Sequence, residues 1–136
     1  MKNPNVQIVD FLKLEGVTSK AVAGTGNAWT YSYPTQKGVS YAFEYQFASG
    51  GAVDVKVELE QGNELLTVAQ ETLTNANYVI PEDAAAFDAG VTDKNVHIKA
   101  YAPAATGYLR LKFTGQGSNA ASTTVTRARM TLVQTI

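Results

Sequence analysis

Gly115, Gly117 and Ala120 follow the run Tyr108-Leu109-Arg110-Leu111-Lys112-Phe113 in the spacing G-x-G-x-x-A. That spacing belongs to dinucleotide-binding turns, where glycines let a pyrophosphate approach and a helix N-terminus faces it. The context here does not support such a turn. The loop leads into Ser122-Thr123-Thr124-Val125-Thr126, a β-branched run that disfavours a helix. No acid follows Asp93 to hold a ribose, and the sixteen residues after Ala120 are too few for a crossover helix and a returning strand. The preceding strand alternates polar and apolar residues, where a central parallel strand would be apolar throughout. The glycines are expected instead to give a positive-φ bend at the tip of a hairpin between two antiparallel strands.

Other catalytic constellations are equally thin. The single histidine, His97, alternates with Val96 and Ile98 and is expected on an outward strand face. Asp54, Glu58 and Glu60 share one strand face with Lys56, which predicts a solvated surface rather than the split pair of carboxylates that glycoside hydrolysis needs. Asp83, Asp88 and Asp93 lack the spacing of a calcium loop and are read as turn and capping residues. Cysteine is absent, which excludes disulfides, thiolate nucleophiles and cysteine-held metals. No catalytic residue, cofactor or metal is assigned, and enzymatic activity is not expected.

Two groups of residues could bind rather than react. Trp29, Tyr31 and Tyr33 recur at every second position, so their rings are expected on one face, with Trp29 in the core and Tyr31 and Tyr33 at its rim, available to a sugar or a protein. Arg110, Lys112, Arg127 and Arg129 occupy the polar positions of the last two strands, and would share one sheet face if those strands pair. Charge is unevenly divided. Residues 1–93 carry twelve acids against five lysines, and residues 94–136 carry six cations and no acid. The cations are expected to meet the acidic face of residues 54–60, across strands or across a subunit boundary. An overall pI near 5.8 argues against non-specific nucleic-acid binding.

The elements that must position these groups are strands. Val39, Tyr41, Phe43, Tyr45 and Phe47 alternate with polar residues, as do Val53, Val55, Val57 and Leu59, and Ser49-Gly50-Gly51 between them predicts a β-hairpin. Further strands are expected over residues 6–15, 28–33, 77–80, 95–101, 109–113 and 128–132, with Val96, Ile98 and Ala100 facing inward. Residues 64–74 read as strand in preference to a short helix, and Pro34 is taken to end the strand before it. Pro81, Glu82, Asp83 and the alanines after them predict a two-turn helix near residues 81–89, stopped by Gly90. Eight or nine short strands in 136 residues imply a single all-β domain over 1–136: an antiparallel β-sandwich, jelly-roll-like, with a closed barrel as the alternative. No stretch is long and apolar enough for a signal peptide or a membrane span, so a membrane role is not expected.

The ending GYLRLKFTGQGSNAASTTVTRARMTLV resembles the closing hairpin of jelly-roll proteins in tailed-phage virions, and of carbohydrate-binding modules built on similar sandwiches. The chain as a whole resembles small capsid decoration (cement) proteins in being short, cysteine-free and rich in Gly, Ala, Thr, Asn and Tyr. The resemblance implies a non-enzymatic virion protein that stabilises a shell. Its partners would be the major capsid protein or another virion protein, it would form a homo-oligomer, and it would be assembled in the host cytoplasm. Contacts are expected from residues 1–5 and from the basic final hairpin. The alternative is a carbohydrate-binding module or a tail-fibre, receptor-binding domain, with a glycan as ligand.

Overall fold

The computed structural model describes residues 4–62, 78–84 and 87–135. Strand β1 (Pro4–Asp10) leads into a single helical turn, α1 (Phe11–Leu14), followed by the short strands β2 (Lys20–Ala21), β3 (Asn27–Trp29) and β4 (Tyr33–Thr35). The long strands β5 (Tyr41–Ala48) and β6 (Val55–Gly62) come next, then β7 (Tyr78–Val79), a 3-10 turn (Glu82–Ala84) and β8 (Asp88–Val91). Strands β9 (His97–Tyr101), β10 (Gly107–Gly115) and β11 (Thr124–Thr135) complete the chain. All described pairings are antiparallel, and they form two sheets. The first runs β1-β11-β5-β9, with β2 also on β11; the second runs β3-β10-β6-β7, with β4 on β10 and β8 on β6. The expected all-β sandwich is therefore observed.

Alternation explains which faces meet. Tyr41, Phe43, Tyr45 and Phe47 from β5 face Val55, Val57 and Leu59 from β6 and Leu109, Leu111 and Phe113 from β10, all of them buried. Rings interlock at the centre: Phe47 lies edge-on to Phe113 at 5.6 Å and Phe43 edge-on to Phe87 at 5.8 Å.

The hairpins expected on either side of this core are not formed. Strands β5 and β6 lie in opposite sheets, and so do β10 and β11. The apolar faces of each pair meet across the sandwich instead of lying side by side. Residues 49–54 and 116–123 are the two links that cross the roughly 10 Å between sheets. They run alongside each other, joined by Gln116 N–H to the Asp54 carbonyl at 2.8 Å and Ala120 N–H to the Ala52 carbonyl at 3.0 Å. Asn119 pins the junction: its amide donates to the Val22 carbonyl at 2.5 Å and its oxygen accepts from Asp54 N–H.

Gly115 and Gly117 do not adopt the positive φ expected of them; Gly16, Gly24 and Gly38 do. Gly115 is needed for proximity. Its N–H bonds the Gly26 carbonyl at 2.9 Å, and a Cβ there would fall 2.1 Å from the Gly24 carbonyl oxygen.

Local departures have equally local causes. The strand expected over residues 6–15 stops at Asp10, whose carboxylate caps α1 by accepting from Lys13 N–H at 3.2 Å. Phe11 and Leu12 are both buried, which a helical turn permits and strand alternation does not. The helix expected near 81–89 is one 3-10 turn, and by Asp88 the chain is again a strand; residues 85–86 lie outside the described residues, as does the strand expected over 64–74. Pro34 lies within β4 rather than ending a strand, paired with Tyr108 at the sheet edge. In β9 the faces are reversed: Ile98 is 63% exposed, while Tyr101 is buried beside Tyr41 and His97 stacks on Tyr45. Tyr101 is the anchor that sets this phase, its hydroxyl donating to Asp83 at 2.9 Å.

Candidate binding surfaces

The four cations singled out by their positions fall on two separate surfaces. Arg110 and Lys112 lie on the outer face of the second sheet, and Arg127 and Arg129 on the outer face of the first. They do not form one basic patch, because β10 and β11 do not pair.

On the second sheet Arg110 is only 1% exposed. Its Nε donates to Glu60 at 2.8 Å across the β10–β6 register. Its guanidinium lies 4.6 Å from the Tyr78 ring centroid and 5.7 Å from that of Trp29. Lys112 also approaches the Trp29 ring, its Nζ 5.3 Å from the centroid. Among the described residues, the buried Arg110 Nη1 and Trp29 indole N–H find no hydrogen-bond partner. Glu58, paired with Lys56 at 3.6 Å, is also buried, so the expected solvated acidic face is a packed layer.

The aromatic triad is split. Trp29 pairs with Lys112, but Tyr33 pairs with Leu109, so one extra residue lies between β3 and β4. In a pleated strand a one-residue slip exchanges the faces. Trp29 therefore lies outside the core, on the outer face, and is buried there by its cationic neighbours. Tyr33 turns to the core side, half-buried at the rim, where its hydroxyl accepts from Gln7 at 3.0 Å. Tyr31 is half-buried between them.

On the first sheet Arg127 donates to Glu44 at 2.9 Å. Arg129 lies 3.7 Å from Asp10 and 3.9 Å from Glu44, in ion pairs too long for hydrogen bonds. The cations of the last third thus meet acids of the first two-thirds within one chain: Arg110 meets Glu60, inside the segment expected, while Arg127 and Arg129 meet Glu44 and Asp10 outside it.

Titratable groups elsewhere serve the fold. Tyr45, fully buried, donates to Asp88 at 2.5 Å, and burial followed by that carboxylate pushes its pKa far up. Burial and Asp83 push Tyr101 up to about 12. Asp93 accepts from Asn95 N–H and lies 2.8 Å from His97 Nε2, and these contacts hold its pKa below the usual carboxylate value. Glu15 is raised by burial, an effect opposed by Lys20 at 2.5 Å. The three aspartates near 81–93 thus have three different partners, and among the described residues no group of three metal-ligating side chains occurs.

The exposure of apolar residues was not legible in the sequence. No Trp, Tyr or Phe side chain is exposed, and all of them lie among the described residues. The large apolar side chains in solvent are aliphatic, with Ile8 60% and Ile98 63% exposed at the two edges of the first sheet. A cavity of about 290 Å³ opens between β1 and β4, floored by Val9, Met130 and Leu132. It adjoins a groove of about 550 Å³ along β1, flanked by Ile8, Lys13, Leu14 and Arg129.

No protein-family model and no curated protein matches the chain. Among solved structures, similar ones include that of infectious bursal disease virus, Gx strain, with 11% identity over 98% of this chain and a TM-score of 0.49. This chain spans 33% of that viral chain. A low-affinity xylan-binding module, CBM86 from the gut symbiont Roseburia intestinalis, is 9% identical over 97% of this chain and 96% of its own, with a TM-score of 0.47. A family 35 carbohydrate-binding module from Clostridium thermocellum is 10% identical over 94% and 97%, with a TM-score of 0.40. At these identities and scores none of the likenesses bears on function.

Proposed function

We propose that the protein is a non-enzymatic β-sandwich that docks onto other proteins, and that its place is the outside of a phage shell as a decoration protein. The observation that carries this reading is the exposure pattern. A sugar-binding platform presents aromatic faces on which sugar rings stack. Here every aromatic ring is at least half-buried, and the large apolar groups offered to solvent are aliphatic, with Ile8, Val79 and Ile98 among them on strands. Such surfaces suit another polypeptide. The sequence resemblance to virion decoration proteins supplies the biological setting.

Two measurements test the reading together. Gradient-purified particles from cells making the chain are expected to hold it at a fixed ratio to the main shell protein. Tryptophan fluorescence is expected to stay unchanged on titration with xylan, cellulose oligomers and mannan, because Trp29 is covered by Arg110 and Lys112. A saturable fluorescence change with any of these sugars, and a chain that stays at the top of the gradient, would favour the glycan-binding alternative.

A further inference from the structure

We propose that the free edge of β1 receives an extended segment of a partner protein, added as a further strand of the first sheet. The segment is acidic where it passes Lys13 and Arg129, and it places an apolar side chain in the cavity between β1 and β4. This rests on the protein-docking reading and specifies its surface.

The contrast among the sheet edges leads to β1. An unpaired strand edge offers a row of N–H and C=O groups to any extended chain, and folded proteins guard such edges with short strands, prolines or charges. In the second sheet, β3, β4 and β7 have three residues or fewer, β4 contains Pro34, and β8 has four residues. In the first sheet, β9 carries Lys99 and His97 on its core-side phase. Strand β1 has such a guard only at each end, Pro4 and Asp10, and Asp10 is engaged in capping α1 and pairing with Arg129. It runs seven residues in unbroken register with β11, from Pro4 opposite Thr135 to Asp10 opposite Arg129, with no lysine, arginine or bulge. Among the described residues no strand pairs with its other side.

The surroundings select the occupant. Strand addition gains affinity from main-chain hydrogen bonds and specificity from pockets that take alternate side chains. The cavity of about 290 Å³ lies on the core side of β1, with Val9, Met130, Leu132 and Tyr41 as apolar walls and Thr35 and Gln36 at the rim. On the solvent side the groove carries exposed Ile8 and Leu14. At the Asp10 end stand two cations with unused capacity: Lys13 has no ion pair among the described residues, and both acids near Arg129 are beyond hydrogen-bond distance. A carboxylate there would complete them with charge-assisted hydrogen bonds. A second copy of this chain fits less well. An antiparallel β1 centred on Ile8 would set Asp10 of each copy opposite Val6 of the other, so the added strand would bring no carboxylate to the end where Lys13 and Arg129 stand.

The test uses the full chain and fluorescein-labelled octapeptides. The probe Glu-Glu-Val-Thr-Val-Thr-Val-Thr is compared with its Lys-Lys counterpart, and with a version N-methylated at alternate residues on the edge-facing side. The acidic peptide is expected to bind at least tenfold more tightly than the basic one and to slow amide exchange in residues 4–10. N-methylation is expected to abolish binding, and Lys13→Glu to reverse the charge preference. The exposed substitution Ile8→Lys should weaken binding at least tenfold without altering the fold. Absence of binding at millimolar peptide, or protection that falls on β9 instead, overturns the proposal. Concentration-dependent protection of residues 4–10 without peptide overturns it in favour of self-pairing. If the chain is found on particles but Ile8→Lys and Lys13→Glu leave its occupancy unchanged, the docking function stands and its assignment to β1 fails.

Discussion

Arg110 shows how a residue type can be read correctly and its environment missed. Its polar position in an alternating strand and its partnership with the acids of residues 54–60 were both legible from spacing. Its burial beneath Tyr78 and beside Trp29 was not, because it depends on β7 lying beside β6 and β3 beside β10, pairings that no local pattern announces. A buried ion pair contributes little relative to an apolar substitute, but removing one partner strands a charge. Joint replacement of the pair, Arg110→Met with Glu60→Leu, is therefore expected to change unfolding free energy by no more than ~1 kcal/mol, whereas Glu60→Ala alone, which strands the buried Arg110 charge, should cost roughly 3 kcal/mol in urea denaturation. Equal losses from the joint and the single replacement would contradict this account. The tyrosine–aspartate pairs predict a pH dependence. In the folded state Tyr45 and Tyr101 keep their protons above the unfolded value of 10.0, Tyr101 to about 12. Above pH 10 the unfolded chain loses those protons first, so stability is flat through pH 9 and falls as pH rises through 10 toward 12. In thermal melts, Tyr45→Phe should flatten that alkaline fall.

At the scale of elements, alternation identified most of the strands and the inward set of β5, β6, β10 and β11. Pairing was a different matter. Two amphipathic strands joined by a glycine-rich link satisfy the same pattern whether they lie side by side or face to face, and the choice is made by the third strand that each one joins. Strand β10 lies between β3 and β6, and β11 between β1 and β5, which turns both expected hairpins into crossings. Strand β9 shows the same limit at an edge. Val96 and Ile98 alternate as well as Tyr101 does, and only the tyrosine's partners decide between the two phases. The crossing at Gly115 predicts a sharp steric penalty. Gly115→Ala would drive a methyl into the Gly24 carbonyl, a backbone group that cannot rotate away, so a loss of about 3 kcal/mol is expected by chemical denaturation. Gly117→Ala, whose Cβ would meet open space at an ordinary φ, should cost less than ~1 kcal/mol. Similar losses at the two positions would refute the close-approach role of Gly115.

At the scale of the whole molecule, the chain pairs its own charges, buries or half-buries every aromatic ring, and leaves aliphatic side chains at strand edges. Among the described residues no group of three His, Asp or Glu side chains is placed to hold a metal, and two adjoining cavities lie along the β1 edge. A protein that binds only the assembled state of a shell stabilises that state by mass action. The most direct test is calorimetry of gradient-purified shells before and after the chain is stripped with salt, and again after it is added back. The account predicts a lower shell Tm on stripping and its recovery on addition, saturating at a fixed number of chains per shell subunit. A shell whose Tm is unchanged by stripping and by addition, with the chain left in the supernatant, would contradict it.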